Sequence, residues 1–119
     1  MDIKLAIIGG RTFNDLQLFN AQLELIRQSN TISQIISGGA KGADTFAANY
    51  AKSNNIPLLE FIPDWTTFGK SAGFRRNVDI ITACTACLVF WNNKSKGTKH
   101  SIDLAIKYNK PLCVCYYND

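Results

Sequence analysis

A chain of 119 residues, 46% hydrophobic and 18% charged, is long enough to bury one core without disulfides or metals and too short for two. Its net charge of +4, from thirteen Lys and Arg against nine Asp and Glu, admits an anionic partner but is mild for a protein built to bind nucleic acid. No apolar stretch approaches the ~20 residues that span a bilayer and no signal-type leader opens the chain, so a cytoplasmic protein with no membrane partner is expected.

Five apolar runs alternate with helix-patterned segments, which predicts a single domain over residues 1–119 of the α/β class. The architecture expected is a Rossmann-like three-layer sandwich, a five-stranded, mostly parallel sheet with helices on both faces. The first strand is expected from Ile3 to Ile8. A helix capped by Asn14 follows, with Leu16, Phe19, Leu23 and Ile26 on one stripe. The second strand, Gln34 to Ser37, runs into Gly38-Gly39-Ala40-Lys41-Gly42-Ala43-Asp44. The second helix places Phe46, Ala47, Tyr50 and Ala51 on one face and gives out before Pro57. A third strand is expected from Leu58 to Ile62. The polar and aromatic segment Asp64 to Lys70 then reads as a loop and a candidate lid. A helix around Arg75 to Ala83 turns Phe74, Val78 and Ile81 inward and leads to a fourth strand, Ala86 to Trp91. The last helix is expected to bury Ile102, Ala105 and Ile106, and the last strand runs from Cys113 to Tyr116. Cys84, Cys87, Cys113 and Cys115 are read as small hydrophobes of strands and turns, and no metal site is expected.

Parallel strands deliver all their following loops to one edge, so Gly9-Gly10-Arg11, Ser37 to Asp44, Asp64 to Arg76 and Asn92 to Thr98 converge there. With strand order 3-2-1-4-5 a crevice opens between the first and fourth strands, with Gly9 and Gly10 facing Gly97 and Thr98. Gly39 to Asp44 reads as a phosphate cradle, in which main-chain N–H groups and the positive end of a helix dipole hold an anion and Lys41 adds a mobile charge. Arg11 and Arg76 offer planar forks to phosphate oxygens, Trp65 a platform for a base, and Asn77 either a ribose contact or a cap. Asp44, Asp64 and the lone His100 are weak catalytic candidates, Asp44 having helix-dipole compensation as its plainer role.

Taken in order, Gly9-Gly10-Arg11, Ser37 to Asp44, Asp64-Trp65, Gly69-Lys70, Ala72-Gly73, Arg76-Asn77 and Gly97-Thr98 resemble the YspA-like branch of the SLOG superfamily along nearly the whole chain. The resemblance implies a Rossmann-type domain that binds a nucleotide or nucleotide-derived small molecule, as sensor or binding module, with no cofactor. It also implies a homo-oligomer. Two alternatives follow from relatives in the same superfamily. One is N-glycosidic cleavage of a nucleoside monophosphate, as in cytokinin-activating phosphoribohydrolases; the other is single-stranded nucleic-acid binding, as in DprA. The hydrolases resemble Pro-Gly-Gly-x-Gly-Thr-x-x-Glu before the last helix, and this chain departs from that pattern. Ser101 stands at the glutamate position, and Asp103 lies two residues on, rotated by roughly 200° around the helix.

Overall fold

Leu5, Ala6, Ile7 and Ile8 leave no polar position in the middle of the first strand, so both faces of that strand must be covered. The computed structural model, which describes residues 1–119, does this with a sheet sandwiched between two pairs of helices. Its elements are β1 (Asp2–Gly9), α1 (Leu16–Ser29), β2 (Thr31–Ser37), α2 (Ala43–Ser53), β3 (Leu58–Glu60) and α3 (Trp65–Phe68). After a 3-10 turn at Gly69–Ser71 come α4 (Ala72–Ala83), β4 (Ala86–Trp91), α5 (Lys96–Lys107) and β5 (Leu112–Tyr116). All strands are parallel, and they lie in the order β3-β2-β1-β4-β5 on which the expected crevice depends.

Alternate residues of β1 feed two cores. Leu5 and Ile7 pack with Phe19 and Leu23 of α1 and Ala47 and Ala51 of α2. Ala6 and Ile8 pack with Ile80 and Ile81 of α4 and Ile102 and Ala105 of α5. Phe13 locks the first loop to the sheet: its ring stacks on Phe90 at 4.3 Å and meets Tyr117 edge-on at 5.0 Å. Cys84 and Cys87 are buried in the second core with their sulfurs 3.5 Å apart.

Several boundaries and faces differ from the sequence reading, each for a local reason. The cap of α1 is Asp15, whose carboxylate accepts from the Leu18 amide at 2.9 Å, and Leu16 lies outside the buried stripe. β3 stops at Glu60 because this edge strand has β2 alone as a neighbour, and Ile62 is left exposed. The segment read as a loop is partly helical, since Asp64 accepts from Thr67 N at 3.0 Å and caps α3. Phe74 shares a helical face with Ile81 but belongs to the rim of a cleft at the sheet's end, where it stays about half exposed. On α5 Leu104 is buried and Ile106 exposed, because Ile106 is rotated by roughly 100° from the buried Ala105.

The loops after β1 and β2 touch backbone to backbone. Gly42 has φ +75°, and a Cβ there would lie 2.3 Å from the Gly10 carbonyl oxygen. Gly97, by contrast, has open space around it in the first turn of α5. Gly42→Ala is therefore expected to cost about 2 kcal/mol or more. Gly97→Ala is expected to be neutral or to stabilise by up to about 1 kcal/mol, through the better helix propensity of Ala. Thermal unfolding of the two variants beside the parent checks both.

Candidate functional site

At the carboxyl edge of the sheet β1 ends at Gly9, opposite Phe90 of β4, and the chain leaves both strands in diverging loops. The gap is a cleft of about 520 Å³ floored by Ile8 and Ile80. Gly9, Gly10, Arg11, Ala40, Asp44, Trp65, Lys70, Arg76, Asn77, Gly97 and Thr98 line it, so eleven of the residues singled out from sequence meet in one place.

The Gly38–Gly42 loop reaches this cleft by folding on itself. Gly39 and Gly42 take positive φ, and Asp44, in the first turn of α2, accepts from the Ala40 amide at 3.1 Å. That bond occupies one of the amides the cradle reading assigned to an anion. The amides of Ala43, Asp44 and Thr45 donate to no other group of the chain, as expected for a first helical turn. The bare Cα atoms of the loop also serve internal packing: a Cβ at Gly38 would strike the Arg76 guanidinium and one at Gly39 the Ile62 side chain. Ser37, Gly38, Gly39 and Gly42 thus build the wall from behind, and Lys41 is exposed outside the cleft lining.

Arg76 spans the site. Its Nη1 donates to the Gly38 carbonyl at 2.9 Å and its Nε to Asn77 Oδ1 at 3.1 Å. Asn77 Nδ2 then faces Gly97 O at 3.4 Å and His100 Nδ1 at 3.2 Å. The Asn77 oxygen is taken by Arg76, so it is the Asn77 amide nitrogen that faces His100 Nδ1. His100 itself lies in a neighbouring shallow groove with Trp91, Lys94, Lys96 and Lys99, its ring 4.5 Å from that of Phe74. Asp64 is likewise outside the cleft. Its role as the cap of α3 explains why its pKa lies below the usual carboxylate range, through its bonds to Thr67.

Burial raises the Asp44 pKa above the ordinary carboxylate value, against the opposing pull of the Ala40 amide, Arg76 and Ser37. Ser37 Oγ is fully buried and makes no well-formed hydrogen bond, yet lies near enough to favour the charged carboxylate. Burial also lowers the Arg76 pKa; Asp44 opposes this and the like charge of Arg11 reinforces it. Neither arginine nor Lys70 forms a salt bridge, the two ion pairs of the molecule being Lys94–Asp119 and Lys99–Asp103. The cleft therefore holds three cations that gain by meeting an anion, with Asp44 its one carboxylate. Ser101 is buried and bonds back to Gly97 O, while Asp103 is exposed, so α5 brings no carboxylate into the cleft.

Gly73, Phe74, Asn92 and Ser95 also line the cleft, within segments the sequence brings to this edge but without a ligand contact assigned to them, and Thr12 and Ser101 line it from outside those segments. Asn92 and Ser95 carried a readable signal: Asn92 Oδ1 accepts from the amides of Lys94 and Ser95, and Ser95 caps α5.

Residues 3–68, more than half of the chain, match the model of the YspA, cpYpsA-related SLOG family. Over 116 residues the chain is 29% identical to the Gene 61 protein of Mycobacterium phage D29, covering 92% of this chain and 93% of that protein. Its fold is similar to that of DNA processing protein A from Helicobacter pylori, from work on that protein's single-stranded DNA binding mode. The TM-score is 0.71 at 24% identity, over 94% of this chain and 64% of the other, so the chain spans less than two thirds of that protein's length.

A carboxyl group whose native pKa is raised contributes stability while it is protonated, and that contribution is lost as pH climbs through the raised value. Asp44→Asn, which can still accept from the Ala40 amide, is expected to melt higher than the parent at pH 7. The difference should shrink toward zero below the ordinary carboxylate pKa. Melting temperatures of both proteins across that pH range read the effect directly.

Proposed function

We propose that this chain, which belongs to the YspA, cpYpsA-related SLOG family, binds single-stranded nucleic acid at the carboxyl edge of its sheet, with one nucleotide seated in the cleft. The observation that carries the reading is the pairing of unmatched cations with exposed rings. Arg11, Lys70 and Arg76 form no salt bridge, Asp44 compensating Arg76 only in part, and beside them Trp65 and Phe74 stand 54% and 52% exposed at the rim. Two of the five guanidinium N–H donors of Arg76 are used within the chain, which leaves three for phosphate oxygens. Trp65 offers a face on which any base stacks.

The path continues beyond one nucleotide. Ser95 lines both the cleft and the groove that holds Lys94, Lys96 and Lys99, and the Phe74 ring of the cleft meets the His100 ring of the groove at 4.5 Å, tilted by 55°. Lys96 is unpaired there, while Lys94 and Lys99 are held by Asp119 and Asp103, pairs that the phosphates of a strand would displace as its unpaired bases meet the aromatic rings. The Helicobacter pylori protein of the same fold is described as binding single-stranded DNA, which favours a strand over a free nucleotide.

A second reading rests on the size of the cleft, whose volume of about 520 Å³ suits one small nucleotide. Here the ligand is a nucleoside monophosphate or a related small molecule. Any cleavage of its N-glycosidic bond would fall to Asp44, the one carboxylate in reach.

Fluorescence anisotropy with a labelled oligo-dT separates the readings. A strand ligand is expected to bind with affinity that falls steeply as salt rises. Trp65→Ala should weaken it by about 1–3 kcal/mol, the scale of one lost base stack. Tight binding of AMP that outcompetes the oligonucleotide and barely responds to salt would instead support the small-nucleotide reading.

A further inference from the structure

We propose a second anion subsite beside the cleft, formed by Thr12 Oγ1, Asn92 Nδ2 and Lys94 Nζ, that accepts a phosphate group and is filled by the chain's own Asp119 carboxylate when no phosphate is bound. Three donors from two loops converge there on one acceptor-only group. Thr12 Oγ1 donates to Asp119 Oδ2 at 2.8 Å and Asn92 Nδ2 to the same oxygen at 2.7 Å. Lys94 Nζ lies 3.4 Å from Oδ1.

The donors are set by their surroundings. Both lone pairs of Asn92 Oδ1 are taken by the amides of Lys94 and Ser95, each at 2.9 Å, so Nδ2 must point outward. The single hydroxyl hydrogen of Thr12 goes to the carboxylate, which cannot donate. The 3.0 Å contact between Thr12 Oγ1 and Tyr117 Oη is therefore donated by the tyrosine. Tyr117 is fixed in turn by the hydrogen bond its backbone N–H donates to Trp91 O at 3.1 Å and by its ring against Phe13. The bonds from Asn92 and Thr12 hold the Asp119 pKa below the ordinary carboxylate value, as a site organised for an anion should.

Carboxylate and phosphate oxygens make the same demand on such donors, short charge-assisted hydrogen bonds with a nearby cation. Thr12 and Asn92 also line the main cleft, so a phosphate at this subsite would sit beside a nucleotide held by Arg11 and Arg76. Asp119 then competes with ligand and holds the site closed at rest. The inference rests on the strand reading only for the source of the phosphate, whether a backbone diester or a free phosphate compound.

The test compares the parent with Asp119→Ala, Asp119→Ala combined with Thr12→Val, and Glu24→Ala, which removes one negative charge from the exposed face of α1. Each is titrated with inorganic pyrophosphate and with labelled oligo-dT. Asp119→Ala is expected to bind pyrophosphate about tenfold tighter than the parent, the scale of one charge-assisted contact released. The gain should vanish in the double variant and be missing in Glu24→Ala. A parallel gain for oligo-dT assigns the subsite to a strand phosphate. A gain for pyrophosphate with no oligonucleotide binding in any variant keeps the subsite and removes the strand reading. No gain, or a gain matched by Glu24→Ala, overturns the proposal whatever the oligonucleotide does.

Discussion

The site is held open by one guanidinium. Arg76 ties the carbonyl of Gly38, at the end of β2, to Asn77 of its own helix, and Asn77 passes the connection on to Gly97 and His100 at the start of α5. Loops that leave three different strands are thereby joined by side-chain hydrogen bonds around a cleft that hydrophobic packing alone would tend to close. Burial is what makes this strut work. Leaving its acceptors unpaired would expose buried polar groups without partners, so the chain keeps Arg76 in place although desolvation and Arg11 both oppose its charge.

That opposition is also the link from packing to function. A cation kept partly desolvated beside a like charge, without an ion pair, holds unmet attraction for an anion. Asp44 supplies only part of the compensation, being itself disfavoured in its charged form by burial. Its carboxylate closes the Gly38–Gly42 loop through Ala40, so the residue that shapes the wall also tempers the field within it. Neutralising Asp44 leaves more positive potential in the cleft. Stability and anion affinity at this position therefore rise together when its charge is removed.

Much of this was legible in the residues because local rules operated without competition. The unbroken apolar middle of β1, the alternation of strands with helical patterns and the turn chemistry of Gly38 to Gly42 gave the sheet, its order and the loops that meet at its edge. Less legible was why the glycines are there: the absent Cβ atoms of Gly38 and Gly42 make room for Arg76 and for the Gly10 carbonyl, partners distant in sequence. Lys41 reads as a phosphate ligand from its place in the loop, yet a one-residue step along a tight turn sends it to solvent. Asp64 reads as a candidate for chemistry, although its spacing to Thr67 already marks a helix cap. The Thr12, Asn92 and Asp119 cluster joins residues up to 107 positions apart and follows no motif. Only the placement of β1, β4 and β5 side by side brings it together.

The central claim is that one cleft at the carboxyl edge of the sheet, braced by Arg76, takes the nucleotide. Its most direct test is amide and side-chain NMR of the labelled protein during titration with a short oligo-dT. Shifts are expected at Gly9 to Thr12, Ala40 to Asp44, the Trp65 indole, the Asn77 side-chain amide and Gly97 to Thr98, with α1 and β3 unmoved. Shifts concentrated on α1 or the outer edge of β3, with the Asn77 and Trp65 signals unchanged at saturation, would contradict the account.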